Sequence, residues 1–481
     1  MCKGPTKKAE PAILNKHQAE TLKAPQPPKL AKWKKVVSFP VWLSVATIYY
    51  SLFTWFGKFG IGWATKVNYV IDVATFGKFE AVLTEFLNPK GGVPKEGIIK
   101  NLSDKMVNKK EYYVHFASIL YITCGVIAAW AAILYMRIND VGSWWGPLLV
   151  HFYFMGAFFI VGVNDLHYVA HHQVSNNQKN HVFKSELLNG ACGLIIEPAM
   201  GFIPKFWLNH HVLIHHKESN GPDDIQGVTF FERKRYNFFW FVADIPLQWY
   251  VRGVIHHFRN GNSEIAKEMM IEEVAYIAFG IALTMWDAYA AALLLWIPHL
   301  CRSMCFNSTN EYMQHALVDG RDGNPHDPAN NSFLLLKSVP RKKYPRGIRS
   351  LPDNFEEKWH AVHHNFPHKG MIGQNLLASK VKCNLIFDTD YVSFNRAIMS
   401  RNMTQLAEWW RPGYNFGNDK LKVSQYAKAD QKLDIQGKAK LLESFLNPAY
   451  DLDEMGEWIT APPFPFNMME LGEQQEKISA E

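Results

Sequence analysis

The sequence predicts an all-α, multi-span integral membrane protein. Three observations carry that expectation. Val36–Phe56 ("VVSFPVWLSVATIYYSLFTWF") and Val114–Met136 ("VHFASILYITCGVIAAWAAILYM") hold no Asp, Glu, Lys or Arg and are long enough to cross a bilayer. Aromatic residues make up 14% of the chain, with 16 Trp and 32 Phe, and Trp and Tyr suit membrane–water interfaces. The net charge of +7 is concentrated partly at the start, where the first 35 residues carry nine Lys against two Glu. A basic arm beside apolar segments points to an anionic cytosolic membrane face and not to nucleic acid.

In chain order, residues 1–35 are Lys- and Pro-rich and read as a flexible arm. Residues 36–113 hold the first apolar run and a mixed, basic connector. Val114–Met136 is the clearest transmembrane helix. The short loop "RINDVGS" leads to a further span, Trp144–Val163, which runs directly into "NDLHYVAHH". Leu187–Pro204 is apolar but contains Glu197 and two Pro, which suits a segment lying at the membrane or dipping into it. Asn237–Ile255, interrupted by Asp244 and Pro246, reads as interfacial. Glu272–Phe306 contains two apolar runs split by Asp287, the pattern of a helical hairpin. Residues 372–481 read as a soluble C-terminal region, with helix-compatible patterning over Leu421–Leu446.

Topology follows from parity. Val114–Met136 with Trp144–Val163, and the two halves of Glu272–Phe306, each return the chain to its starting side. Lys105, Lys109 and Lys110 flank the first hairpin and make that side cytosolic. No cleavable signal peptide is expected, because the first apolar run begins only near Val36. The six Cys form no C-x-x-C pair and read as reduced packing thiols.

The chemistry lies in the 20 histidines, half of which fall in three clusters. "HYVAHH" contributes His167, His171 and His172; "HHVLIHH" contributes His210, His211, His215 and His216; "HAVHH" contributes His360, His363 and His364. His315 stands alone in "NEYMQHALVD". On an α-helix, i and i+4 share a face, so His167 pairs with His171 and His211 with His215, while His360, His363 and His364 form one stripe. His172 and His216 turn about 100° from their predecessors, toward a second metal ion nearby. His210 points away. His115, His151, His299 and the pair His256–His257 read as ordinary buried histidines. One zinc takes three or four protein ligands, so nine or ten imidazoles exceed one ion and fit two. Imidazole accepts iron, zinc, copper or nickel alike.

H-x3-H, then H-x3-H-H, an isolated His and H-x2-H-H together resemble the membrane fatty acid desaturase and hydroxylase superfamily, over roughly Val114 to Met371. "NGPDD" after the second cluster resembles the Asn/Asp stretch of many relatives, and "NEYMQHALVD" resembles bacterial membrane alkane monooxygenases. The resemblance implies a helical transmembrane stem and a cytosolic histidine-box cap around two iron ions. It implies His167, His171, His211, His215, His216, His315, His360, His363 and His364 as ligands, with His172 as a tenth candidate. Stearoyl-CoA desaturases place an Asn four residues before the isolated His; here that position is Glu311, suited to bind iron or to hydrogen-bond an imidazole. Asp165, Asp223 and Asp224 are candidates to orient imidazole rings.

The resemblance further implies an enzyme that uses O2 as co-substrate and removes hydrogen from a fatty acyl chain, leaving a double bond. Hydroxylation of an alkyl or acyl chain is the alternative outcome of the same site. The chain lacks "HPGG" of a fused cytochrome b5 domain and any G-x-G-x-x-G after a strand. Electrons are therefore expected from a separate cytochrome b5 or ferredoxin system, and "PRKKYPR" (Pro340–Arg346) is a basic patch able to dock an acidic carrier. The expected location is an integral, multi-pass position in a membrane, the endoplasmic reticulum in a eukaryote. A histidine-rich metal transporter is the contrasting class; it would need polar residues within the spans, whereas Val114–Met136 holds no Asp, Glu, Lys or Arg and has His115 only at its edge.

Overall fold

The computed structural model describes residues 59–87, 93–158, 161–221, 223–227, 248–305, 312–322, 324–339, 358–367, 377–416, 418, 424–446, 450–452 and 458–460. The arm 1–35, the run Val36–Phe56, Glu311 and the Pro340–Arg346 patch lie outside the described residues.

The described chain is mostly helical. Helix α1 (residues 59–74) precedes α2 (Tyr113–Ile138), α3 (Trp145–Ala157) and α4 (Val161–Gln173). α2 packs against α3 and α4. The expected span Trp144–Val163 is not one helix: α3 stops at Ala157 after 13 residues, and α4 begins separately at Val161. α1 crosses α3 at two glycines. A Cβ on Gly156 would sit 2.1 Å from the Gly60 carbonyl oxygen, so only glycine permits the approach. Trp63 Nε1 donates to Leu149 O at 3.1 Å, and Tyr153 Oη to Asn68 Oδ1 at 2.8 Å.

The Leu187–Pro204 stretch folds as short helical turns, Glu186–Ala191, Cys192–Ile196 and Glu197–Ala199. Leu187 and Ile195 are exposed, whereas Glu197 is buried and accepts the backbone N–H of Trp207 at 3.2 Å. That carboxylate anchors the start of π1 (Trp207–His216), a π-wound helix. Next come α5 (Gly253–Arg259), α6 (Ser263–Trp286) and α7 (Ile297–Cys305), with a short helical stretch between α6 and α7.

Asp287 is the turn between the two apolar runs, as its position in the sequence suggests. Its carboxylate caps Ala288–Ala291 by accepting from Tyr289 N and Ala290 N, both at 2.9 Å. The same carboxylate pairs with Arg137 in the last turn of α2 at 2.7 Å. Tyr289 Oη donates to Trp144 O at 2.6 Å. The tips of the two helical hairpins therefore meet.

Among the described residues, two helices are long and apolar enough to cross a membrane: Lys110–Ile138, which contains α2, and α6, Ser263–Trp286. α6 leaves Ile271, Val274, Met285 and Trp286 exposed.

Among the described residues the apolar core falls into two large clusters and two small ones. The first gathers residues from Leu83 to Cys301, around Phe202, Phe206, Trp207 and Trp249. Each large side chain buried there contributes about 1.5–3 kcal/mol. The second gathers residues from Met313 to Leu446. In it β1 (Phe333–Leu335) pairs in parallel with β2 (Leu385–Phe387), Phe333 opposite Leu385. Parallel strands need a long crossover, and this one carries α8 (His360–Asn365), which packs on β1. α9 (Tyr391–Ser400), α10 (Met403–Trp409) and α11 (Ile435–Ser444) complete it. A second pair joins β3 (Tyr450–Leu452) to β4 (Trp458–Thr460), antiparallel. These short strands depart from the all-α expectation. β1 and β2 are fully buried three-residue apolar runs, too short for their periodicity to separate strand from helix.

Candidate metal centre

The histidine clusters converge where the two cores face each other. α4 is α-wound, so His167 and His171 lie one turn apart on one face, their Nε2 atoms 2.9 Å apart. π1 behaves differently. Its hydrogen bonds reach to the fifth residue, so the turn is wider. His211 consequently pairs with His216, Nε2 to Nε2 at 3.1 Å, and not with His215 as α-helical spacing predicts. On α8 the expected single stripe also divides. His360 and His364, four residues apart, bring Nε2 atoms to 3.1 Å, while His363 points to the other side and meets His216 Nε2 at 2.8 Å.

Two groups result. In the first, one ring nitrogen from each of His167, His171, His211, His216 and His363 lies within 4.8 Å of all the others. In the second, His215, His315 and His364 meet the same condition. His360 joins the second group through His315 Nε2 at 3.0 Å and His364 Nε2 at 3.1 Å. The groups abut: the rings of His216 and His364 stack at 4.4 Å. Each group draws on both cores, so neither half of the chain builds it alone.

The environment keeps these rings neutral. Burial pushes His171, His211, His216, His315, His363 and His364 well below the usual imidazole pKa, and neighbouring imidazoles push further. His167 falls to about 3 for the same reasons. The second group also has its tautomers set. His315 Nδ1 lies 2.8 Å from the carbonyl oxygen of Asn331, and His215 Nδ1 lies 2.7 Å from Asp224 Oδ2. Those oxygens accept, so Nδ1 carries the proton and Nε2 presents a lone pair. Lone pairs turned toward one another repel unless a cation sits between them. The donor set is neutral, buried and all nitrogen, which fits iron, zinc, copper or nickel and not magnesium or calcium.

"NGPDD" forms the support. Ser219 and Asn220 adopt positive φ, 47° and 61°, and turn the chain back after π1. Asp224 then accepts from Asn220 N and Gln226 N, both at 2.9 Å, besides facing His215. Asp223 is exposed. Asp165 orients His115 at 3.0 Å and not a clustered histidine. His172 stands apart from both groups: its Nδ1 meets Tyr168 O at 3.0 Å and its ring meets Tyr112 edge-on at 4.8 Å. His210 is buried against Phe206. Motif spacing does not reveal the Asn331 carbonyl, which acts through its backbone, or Trp207, stacked on His167 at 4.5 Å.

Residues 142–371 match the protein-family model described as Fatty acid desaturase. No curated protein and no solved structure matches the chain.

Proposed function

We propose, from the match of residues 142–371 to the Fatty acid desaturase model, that the chain is an O2-dependent di-iron membrane enzyme that introduces a double bond into a fatty acyl chain. The observation that carries this reading is the pair of abutting imidazole groups. In this reading His167, His171, His211, His216 and His363 hold one iron. His215, His315, His360 and His364 hold the other. His172 stays outside both, turned toward Tyr112. Glu311, four residues before His315, is a further candidate by spacing alone.

Two bound irons supply the activation of O2 that no side chain provides. The protein's part is to hold and orient. The Asn331 carbonyl and Asp224 keep His315 and His215 in the tautomer that ligates. The aromatic wall of Trp207, Phe206 and Phe202 keeps water from the group-one side. In this reading the exposed apolar face of α6 meets lipid.

The test is iron analysis of the purified protein together with lipid profiling of a host that expresses it beside His363→Ala. Two irons per chain and new double bonds only with the intact chain support the proposal. New hydroxyl groups instead would make the enzyme a hydroxylase. Absence of iron after expression in iron-replete cells would overturn the di-iron reading.

A further inference from the structure

Two features remain unused by that reading: the His115–Asp165 pair and the outward-turned His172. Both lie beneath one knitted surface. Residues 104–112 and 178–184 run side by side. Asn108 N donates to Val182 O at 3.0 Å, Lys184 N to Met106 O at 2.8 Å, and Val107 bridges Phe183. The Asn108 side-chain amide reaches Gln178 O and His181 O, and Tyr112 Oη donates to Asn180 O at 3.2 Å. Lys105, Lys110, Lys179 and Lys184 are exposed on these two segments, with Lys109 over the Tyr112 ring at 5.3 Å. Of the nearby acids, Asp104 pairs with Lys100 and Glu186 with His181; Glu111 is the other. The surface is thus net basic.

Directly below, aromatic rings are continuous to the first histidine group. Tyr112 meets His172 at 4.8 Å and His115 at 6.3 Å. His115 meets Tyr168 at 5.4 Å. Tyr168 meets His167 at 5.3 Å and His363 at 5.7 Å. Asp165 and the Tyr168 carbonyl fix the His115 and His172 rings.

We propose that the lysine surface formed by residues 104–112 and 178–184 docks an acidic one-electron carrier protein, and that Tyr112, His172, His115 and Tyr168 bridge it to the first histidine group. Each docking transfers one electron: the carrier's cofactor is oxidised by one and the histidine-held metal is reduced by one. Charge complementarity sets the encounter. An anionic lipid surface also attracts lysines, but the ring continuity inward favours a redox partner. The inference rests on the di-iron reading above.

The probe is the soluble domain of an acidic cytochrome b5, with the full chain in phosphatidylcholine nanodiscs. Binding is measured first, and it needs no turnover. The triple variant Lys109→Glu, Lys110→Glu, Lys179→Glu should raise Kd about tenfold or more at low salt, with the gap closing at high salt. At saturating carrier, Tyr112→Leu should slow reoxidation of the bound haem several-fold with iron content as in the parent, whereas Tyr112→Phe, which keeps the ring, should not. Unchanged Kd in the triple variant overturns the docking surface, and lost binding to phosphatidylserine vesicles alongside it would assign the lysines to lipid. Unchanged haem reoxidation in Tyr112→Leu overturns the bridge. Iron that dithionite fails to reduce would instead sink the di-iron reading and leave the binding result standing.

Discussion

His215 Nδ1 lies 2.7 Å from Asp224 Oδ2, with both side chains fully withdrawn from solvent. This contact links the polar stretch after the second cluster to the second histidine group. The carboxylate also holds the turn that returns the chain, through Asn220 N and Gln226 N. A neutral amide keeps the shape but weakens the hold on the His215 tautomer. Asp224→Asn should therefore lower metal affinity about 10–100-fold at the second group, while the first group retains its ion. Iron per chain after dialysis against a mild chelator measures this. Full retention at both groups would remove Asp224 from a supporting role.

Much of this centre was legible in the sequence because imidazole spacing is a direct record of helix geometry. His167 and His171 behave as α-helical neighbours should. Asp287 splits two apolar runs, and that is where the chain turns. The sorting of the histidines into two groups was not legible. It depends on the π winding of Trp207–His216, which exchanges His215 for His216 as the partner of His211. No residue in "WLNHHVLIHH" announces that winding. The division of His360 and His364 from His363 follows from about 100° per residue, but only a known position of both groups says which ring belongs to which. The break between α3 and α4 was hidden because apolar composition continues across it.

A second prediction concerns the scaffold of His315. Arg321 bridges two buried carboxylates, Asp319 at 2.7 Å and Asp430 at 2.9 Å, and its guanidinium stacks over Tyr426 and Phe445. Val318 N donates to Phe445 O at 3.0 Å. These contacts tie the loop after His315 to the C-terminal helices. Arg321→Met removes the cation and leaves two carboxylates buried together, which should cost about 3–5 kcal/mol. Thermal melting should show the loss, and the second histidine group should release its iron first. A melting temperature equal to the parent's would mean that the pair of carboxylates relaxes into solvent.

The last prediction is a pH dependence away from the centre. His256 is held down to about 4, mainly by burial and next by neighbouring His257. Asn260 Nδ2 donates to His256 Nε2 at 3.0 Å, so protonating that nitrogen would set two donors face to face. The unfolded side chain titrates near 6.5. Between about 6.5 and 4 the unfolded chain therefore binds more protons than the native one, and stability falls as pH falls through that window. Above it His256 contributes no slope, and below about 4 its contribution levels off. His256→Gln retains an acceptor for Asn260 but cannot titrate. The difference in melting temperature between parent and variant, followed from pH 8 to pH 4, should move in the variant's favour only below about pH 6.5. A difference that stays constant across the range would mean that the His256 imidazole takes its proton in the folded protein as readily as in the unfolded chain.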